Sequence, residues 1–188
     1  MGRFAAGDDA ALAQVYDLAA PALFAFLMRL TRDRSRAEDL THDVFVKLHH
    51  ARHLYRPGAE VLPWAYTIAR NLFLDSTRSG RREVLASNDD ERPSDPGRVA
   101  PDVPADELLA ASQLADHIEK TLATLPEAQA TAFRLIKQEN LSIAEAAAVL
   151  GTTEAAVKLR AHRAYEALRR ALGDTWDAPA RTTSKDPS

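Results

Sequence analysis

The sequence predicts an all-α protein of two small helical domains joined by a flexible acidic linker. Three observations carry that prediction. Apolar residues make up 46% of the 188-residue chain and recur at steps of three and four, with Ala and Leu dominating over the 6% that are aromatic. No run of alternating β-branched residues is long enough for a strand. Charge and proline collect in one stretch, residues 83–108, where eight carboxylates accompany Pro93, Pro96, Pro101 and Pro104, so this stretch cannot be one continuous helix and divides the chain in two.

The first domain spans residues 1–82. Residues 8–31 are helical in pattern, and Pro21 is placed to open a second helix after Ala19-Ala20. Ser35-Arg36-Ala37-Glu38 has the form of a capping box, so a helix is expected to start there. Its stripe Ala37, Leu40, Val44 and Leu48 faces a core, which puts Asp39, His42, Asp43 and Lys47 elsewhere on the wheel. Tyr55-Arg56-Pro57-Gly58 is a turn, and a further helix is expected from Pro63 to about Ser79 with Ala65, Ile68, Ala69 and Leu72 inward.

The second domain spans residues 109–172, with a helix from about Ala105 to Thr124 leading into it and Pro126 at the first position of the next. Ser142-Ile143-Ala144-Glu145 is a second capping box. Gly151 can take the positive φ that ends this brief helix, and Thr152 or Thr153 can cap a last helix reaching Leu172. Residues 173–188 are small and polar with two prolines, and are expected to be a frayed tail.

Composition excludes several classes. Without Cys there is no disulfide framework, thiolate nucleophile or Cys-based zinc finger. Gly-rich phosphate loops and a Gly-x-Ser-x-Gly elbow are absent, so no catalytic residue, metal or cofactor is expected and the protein is not expected to be an enzyme. No uninterrupted apolar run reaches the roughly 18–20 residues of a membrane span, and the N-terminus lacks a signal-peptide pattern. A cytoplasmic protein without direct membrane insertion is the expectation. The net charge of −3 argues weakly against a nucleic-acid partner, but it averages +3 over residues 1–82, −6 over 83–108, +1 over 109–172 and −1 over 173–188.

The last helix concentrates basic charge. Lys158, Arg160, Arg163, Arg169 and Arg170 stand against Glu154 and Glu166, opposite a narrow seam of Val157, Ala161, Ala164 and Leu168 that can pack on Ala144, Ala147, Ala148 and Leu150. A short helix, a Gly-containing turn and a longer basic helix form the helix-turn-helix plan, whose second helix enters the major groove. Arg can grip guanine or phosphate oxygens, and Lys supplies mobile charge to phosphates. The plainer alternative is a solvated helix with internal pairs such as Glu154 and Lys158.

Three motifs carry a resemblance. Leu125-Pro126-Glu127-Ala128-Gln129-Ala130-Thr131-Ala132-Phe133, Leu141 to Gly151, and Val157 to Ala164 together resemble region 4 of bacterial extracytoplasmic-function (ECF) sigma factors of the sigma-70 family. Ala37-Glu38-Asp39-Leu40-Thr41-His42-Asp43-Val44-Phe45-Val46-Lys47-Leu48 resembles region 2.2, and Trp64-Ala65-Tyr66-Thr67-Ile68-Ala69-Arg70-Asn71 with Asp75 and Arg78 resembles regions 2.3 to 2.4. The motifs stand in the family's order over about residues 8–172.

The resemblance implies an RNA polymerase sigma factor. Asp39, His42, Asp43 and Lys47 would then meet the clamp coiled coil of the core polymerase, with the flap as a second contact, and His42 stands where the family usually has Gln. Tyr55, Arg56, Trp64, Arg70, Asn71 and Arg78 would melt and read the −10 element, since rings stack on unpaired bases and Arg holds phosphates. Lys158, Leu159, Arg160, His162 and Arg163 would read the −35 element, where Leu159 can touch a thymine methyl but read no hydrogen-bond pattern. The acidic linker would either run through basic polymerase channels or serve as a soluble tether. An anti-sigma factor is an implied partner besides core RNA polymerase and promoter DNA. Two alternatives stay open: an autonomous helix-turn-helix repressor, and an all-α metal-binding protein using the His cluster of residues 42–53.

Overall fold

A computed structural model describes residues 2–5, 8, 10–56, 58–83 and 105–173, with backbone alone at 79–83 and 105–111. Every regular element among them is helical: α1 (Gly2–Ala5), α2 (Ala10–Thr31), α3 (Arg34–His50), a 3-10 turn (Arg52–Leu54), α4 (Val61–Glu83), α5 (Ala105–Ala123), α6 (Glu127–Lys137), α7 (Ile143–Leu150) and α8 (Glu154–Leu172). The all-α expectation holds. Of the acidic stretch, residues 84–104 lie outside the described residues, as does the expected tail beyond Gly173, while residues 105–108 already belong to α5.

The first unit packs α2, α3 and α4 around Leu23, Phe26, Leu27, Val44, Leu48, Ala65 and Ala69, all fully buried. The sequence places a helix break at Pro21, yet α2 runs through it. Pro21 removes one backbone N–H and crowds the carbonyl four residues earlier. Apolar anchors on both sides, Val15 and Ala19 before it and Leu23, Phe26 and Leu27 after it, are held in one core and outweigh the local preference. By length and composition α2 is also apolar enough to cross a membrane, with a mean hydropathy of 1.5, whereas a count of uninterrupted apolar residues finds no such run because Gln14 and Asp17 break it. Here its apolar face is occupied by the bundle, with seven of its side chains buried.

The start of α3 also departs from expectation. Its cap is Asp33, whose carboxylate accepts from the Arg36 amide at 3.0 Å, and no Ser35–Glu38 box forms. With Asp33 as the cap, Ser35 already lies in the first helical turn and is no longer a cap, and Glu38 pairs instead with Arg34 four residues earlier, at 2.9 Å. Arg34 lies over the Phe24 ring, and Arg36 donates to Ser76 at 2.9 Å on α4, so the cations beside the cap also tie α3 to both neighbours. On α4 the inward face includes Tyr66 and Phe73 as well as Ala65 and Ala69, while Ile68 and Leu72 are half-buried.

The second unit packs α5, α6 and α8 around Leu122, Ala130, Phe133, Ala164, Leu168 and Leu172. Arg134 is buried there and pairs with Glu119 of α5 at 2.7 Å, and Gln138 donates to the same carboxylate at 2.8 Å. The other face of this unit merges with the first: Leu135, Leu141, Ala146, Val149 and Leu150 share one apolar cluster with the α2–α4 core, and α7 packs on α4.

Candidate functional site

The helix-turn-helix is built by local chemistry. Ser142 accepts from the Glu145 amide at 3.2 Å while the Glu145 carboxylate accepts from the Ser142 amide at 2.7 Å, which completes the expected box at the start of α7. Gly151 ends that helix at φ 59°, ψ 43°. Its amide donates to Ala148 O at 3.2 Å and the Thr152 amide donates to Ala147 O at 3.0 Å, the paired bonds of a Schellman turn. Of the two candidate threonines it is Thr153 that caps α8, accepting from Ala156 at 3.2 Å.

The seam of α8 is buried at Val157, Ala164 and Leu168, with Ala161 half-buried. It meets a different face of α7 from the one expected: Ala146, Ala147, Val149 and Leu150 are buried, whereas Ala144 and Ala148 face solvent. The eight-residue helix inserts between α8 and α4, so its inward arc serves two neighbours. Opposite the seam, Lys158, Leu159, His162 and Arg163 form one exposed strip, as their spacing of i, i+1, i+4 and i+5 requires. Arg160 lies to its side and is half-buried. Leu159 is 50% exposed, an apolar tip amid cations. Lys158, Arg160 and Arg163 have no carboxylate within ion-pair distance among the described residues, so their charge is available to an anion.

A second strip runs along α3. Asp39, His42, Asp43 and Lys47 are all exposed on one face, and Val46, which the sequence analysis does not single out, joins them at 40% exposure. The available signal is its spacing, three residues beyond Asp43. Beside this face, Tyr16, Asp17, Phe24, Arg34, Thr41 and His42 line a groove of about 470 Å³ between α2 and α3.

The third group is only partly brought together. Trp64, Asn71 and Arg78 are spaced by seven, which puts them within roughly 40° of one another on the side of α4 away from its buried residues. Arg78 is open, with Asp75 at 3.8 Å, and Asn71 is exposed. Trp64 is half-buried against the core, with the Tyr55 ring at 6.0 Å, and the Tyr55 hydroxyl donates to Ala59 O. Arg56 is exposed beside that turn. Arg70 points to a different flank, one turn beyond Tyr66. For the His cluster, the His49 and His50 rings lie edge to face at 5.8 Å, and no group of three His, Cys, Asp or Glu side chains placed to hold a metal ion occurs among the described residues.

Sequence reasoning also misses a part-buried polar contact. The Glu139 carboxylate, in the loop between α6 and α7, accepts from Arg29 of α2 and from the Tyr66 hydroxyl of α4. Burial and that carboxylate push the Tyr66 phenol well above its usual range, so it stays a donor. The partners lie 110 and 73 positions away, and no local spacing links them.

Comparison with known proteins gives two family matches, to Sigma-70 region 2 over residues 15–83 and to Sigma-70 region 4 over residues 116–168. RNA polymerase sigma factor CarQ of Myxococcus xanthus is 34% identical over 175 residues, covering 93% of this chain and 96% of CarQ. ECF RNA polymerase sigma factor SigL of Mycobacterium tuberculosis is 32% identical over 173 residues, covering 89% of this chain and 92% of SigL. Among solved structures, the sigma factor RpoE of Bartonella quintana, in complex with the anti-sigma factor NepR, matches with a TM-score of 0.70 and 29% identity, covering 85% of this chain and 95% of that one.

Proposed function

The chain belongs to the sigma-70 family of RNA polymerase sigma factors, in its extracytoplasmic-function branch, and we propose that it binds core polymerase through α3 and selects promoters through α8 and α4. The observation that carries this is the exposed strip Lys158, Leu159, His162 and Arg163 on the second helix of a capped helix-turn-helix, with its seam buried and no carboxylate within ion-pair distance of its cations among the described residues. Such a strip suits the major groove of the −35 element, where Arg163 and Lys158 can reach base edges or phosphates and Leu159 a thymine methyl.

The α3 strip has the opposite character. Two carboxylates, an imidazole and a Val beside a groove suit a protein surface bearing Arg, and the clamp coiled coil and flap of the core enzyme are the proposed partners. The stripe Trp64, Asn71 and Arg78, with Tyr55, Arg56 and Arg70 around it, is assigned to the melted −10 strand. Stacking there needs Trp64 or Tyr55 to leave its present packing, so Asn71 and Arg78 make the first contacts. The factor supplies binding and selectivity without a catalytic group of its own, in the cytoplasm where polymerase and DNA meet. Control by an anti-sigma factor is proposed from the likeness to a sigma factor solved with one bound.

The test is run-off transcription with core enzyme and a promoter library. A promoter-dependent product that requires this chain is expected. Its absence, together with tight site-specific binding by the chain alone, replaces this reading with a helix-turn-helix repressor.

A further inference from the structure

Phe4 is fully buried, yet among the described residues it belongs to neither apolar core. Its cover comes instead from the junction that follows α3. The His49 ring lies 5.8 Å from the Phe4 ring, and the Arg52 guanidinium stands over that ring at 5.8 Å. Arg52 also donates to His49 Nε2 at 3.0 Å, where the imidazole must accept because a guanidinium has no acceptor. The short helix that carries Phe4 is tied down as well. Asp8 accepts from Arg3 Nε at 2.9 Å and its amide donates to Arg3 O at 3.0 Å, and that guanidinium holds the Asp8 carboxyl below the usual carboxylate range. Packed in this way, α1 touches both α2 and the 3-10 turn Arg52–Leu54.

Arg52 connects Phe4 to the loop between α3 and α4. While its side chain lies on Phe4, its carbonyl accepts from the Tyr55 amide at 3.2 Å, one residue after the Leu54 amide donates to Ala51 O at 2.9 Å. A single 3-10 turn has poor hydrogen-bond geometry, so its bearing depends on the side chains that grip it. Beyond the turn, Tyr55 lies 6.0 Å from the Trp64 ring and its hydroxyl donates to Ala59 O, while Leu54 and Arg56 stay exposed. The loop is thus gripped on one side through Tyr55 and on the other through Phe4.

We propose, resting on the assignment of this loop to the melted −10 strand, that Phe4 is a positioning residue for −10 reading: packed against His49 and Arg52, it fixes the 3-10 turn and with it the bearing of Tyr55 and Arg56. Without the ring the turn is released, the loop divides its time among several bearings, and affinity for the strand falls by the fraction that is correctly placed. The strips of α3 and α8 keep their anchors, because their seams lie in cores that Phe4 does not enter.

The experiment uses the full chain carrying Trp176→Phe, which leaves Trp64 as its one tryptophan. Acrylamide quenching of Trp64 in the free protein reads the loop. Run-off transcription with core enzyme reads the −10 ratio, the product from a promoter with its own −10 element over that from the same promoter with this element substituted. Phe4→Ala, with native helicity by circular dichroism, is expected to raise the quenching constant about twofold and to lower the −10 ratio about threefold or more, with core association and the response to a substituted −35 element held within about twofold of native. Should Phe4→Ala lose helicity, Phe4→Leu, which keeps an apolar plug without a ring face, is read in the same way at smaller amplitude. Unchanged quenching overturns the proposal, and so does an equal loss of −10 ratio, core association and −35 response, the mark of general unfolding. Arg56→Ala separates the two readings. If it lowers the −10 ratio and Phe4→Ala does not, positioning fails and the −10 assignment stands. If Arg56→Ala leaves the ratio as it was, the −10 assignment of the loop fails and the role of Phe4 in −10 reading falls with it.

Discussion

Both α3 and α8 bury one apolar seam and leave a polar strip opposite, yet the strips are unlike. On α3 the exposed side chains are Asp39, His42, Asp43, Val46 and Lys47, near neutral and beside a groove; on α8 they are Lys158, Leu159, His162 and Arg163, cationic and convex. One helical period thus exposes two chemically unlike strips. The period sets which residues are offered, and their chemistry sets what each strip suits under the proposed function: carboxylates and an apolar tip a protein surface, cations phosphates and base edges.

The strongest way to break this parallel is through the seams. Leu48 and Leu168 are both fully buried, and Leu→Ala at either should cost about 2–5 kcal/mol in urea unfolding of the full chain. A much smaller loss at one would mean that the helix is not anchored as its partner is. Next come the strips. Asp43→Arg should weaken core association by about tenfold or more, because like charge at a protein interface costs several kcal/mol, and leave helicity unchanged. Arg163→Ala should lower −35-dependent initiation by an amount equivalent to about 1–3 kcal/mol while core association stays as it was. Crossed effects, with Arg163 altering core binding and Asp43 promoter choice, would undo the division of labour.

Smaller effects test the local frames. Gly151 has φ 59°, and a methyl group added to it would meet open space, so Gly151→Ala should cost about 1–2 kcal/mol from backbone strain without a clash, read from the thermal midpoint. Ser142→Ala removes a formed cap and should cost about 1 kcal/mol, as should Asp33→Ala, whereas Ser35→Ala should fall within about 0.5 kcal/mol. Equal losses at Ser35 and Ser142 would contradict the capping seen at α3.

These contrasts show what a sequence makes legible. The path from Ser142 through Gly151 to Thr153 is readable because each bond in it spans no more than five residues and uses side chains with one obvious task. The cap of α3 is not, because Asp33 and Ser35, two positions apart, can both serve, and it is Asp33 that accepts from the Arg36 amide. Pro21 misleads because a packed core overrides a local signal. Exposure of Lys158 and Arg163 follows from periodicity, but the tucked position of Trp64 does not, since it depends on Tyr55 and the core around it. The Glu139 contact lies beyond reach altogether, because it exists only once α2, α4 and α6 have been assembled.

The apolar cluster shared by the two units has a calorimetric consequence. A unit whose core is its own melts on its own, but Leu135, Leu141, Val149 and Leu150 lose their cover when α2–α4 unfold. Heating the free chain should therefore give one heat-absorption peak whose van't Hoff and calorimetric enthalpies agree. A charge reversal at Glu139 that weakens this junction should split that peak in two, with the smaller unit, left to the Leu122, Phe133 and Leu168 cluster, melting first.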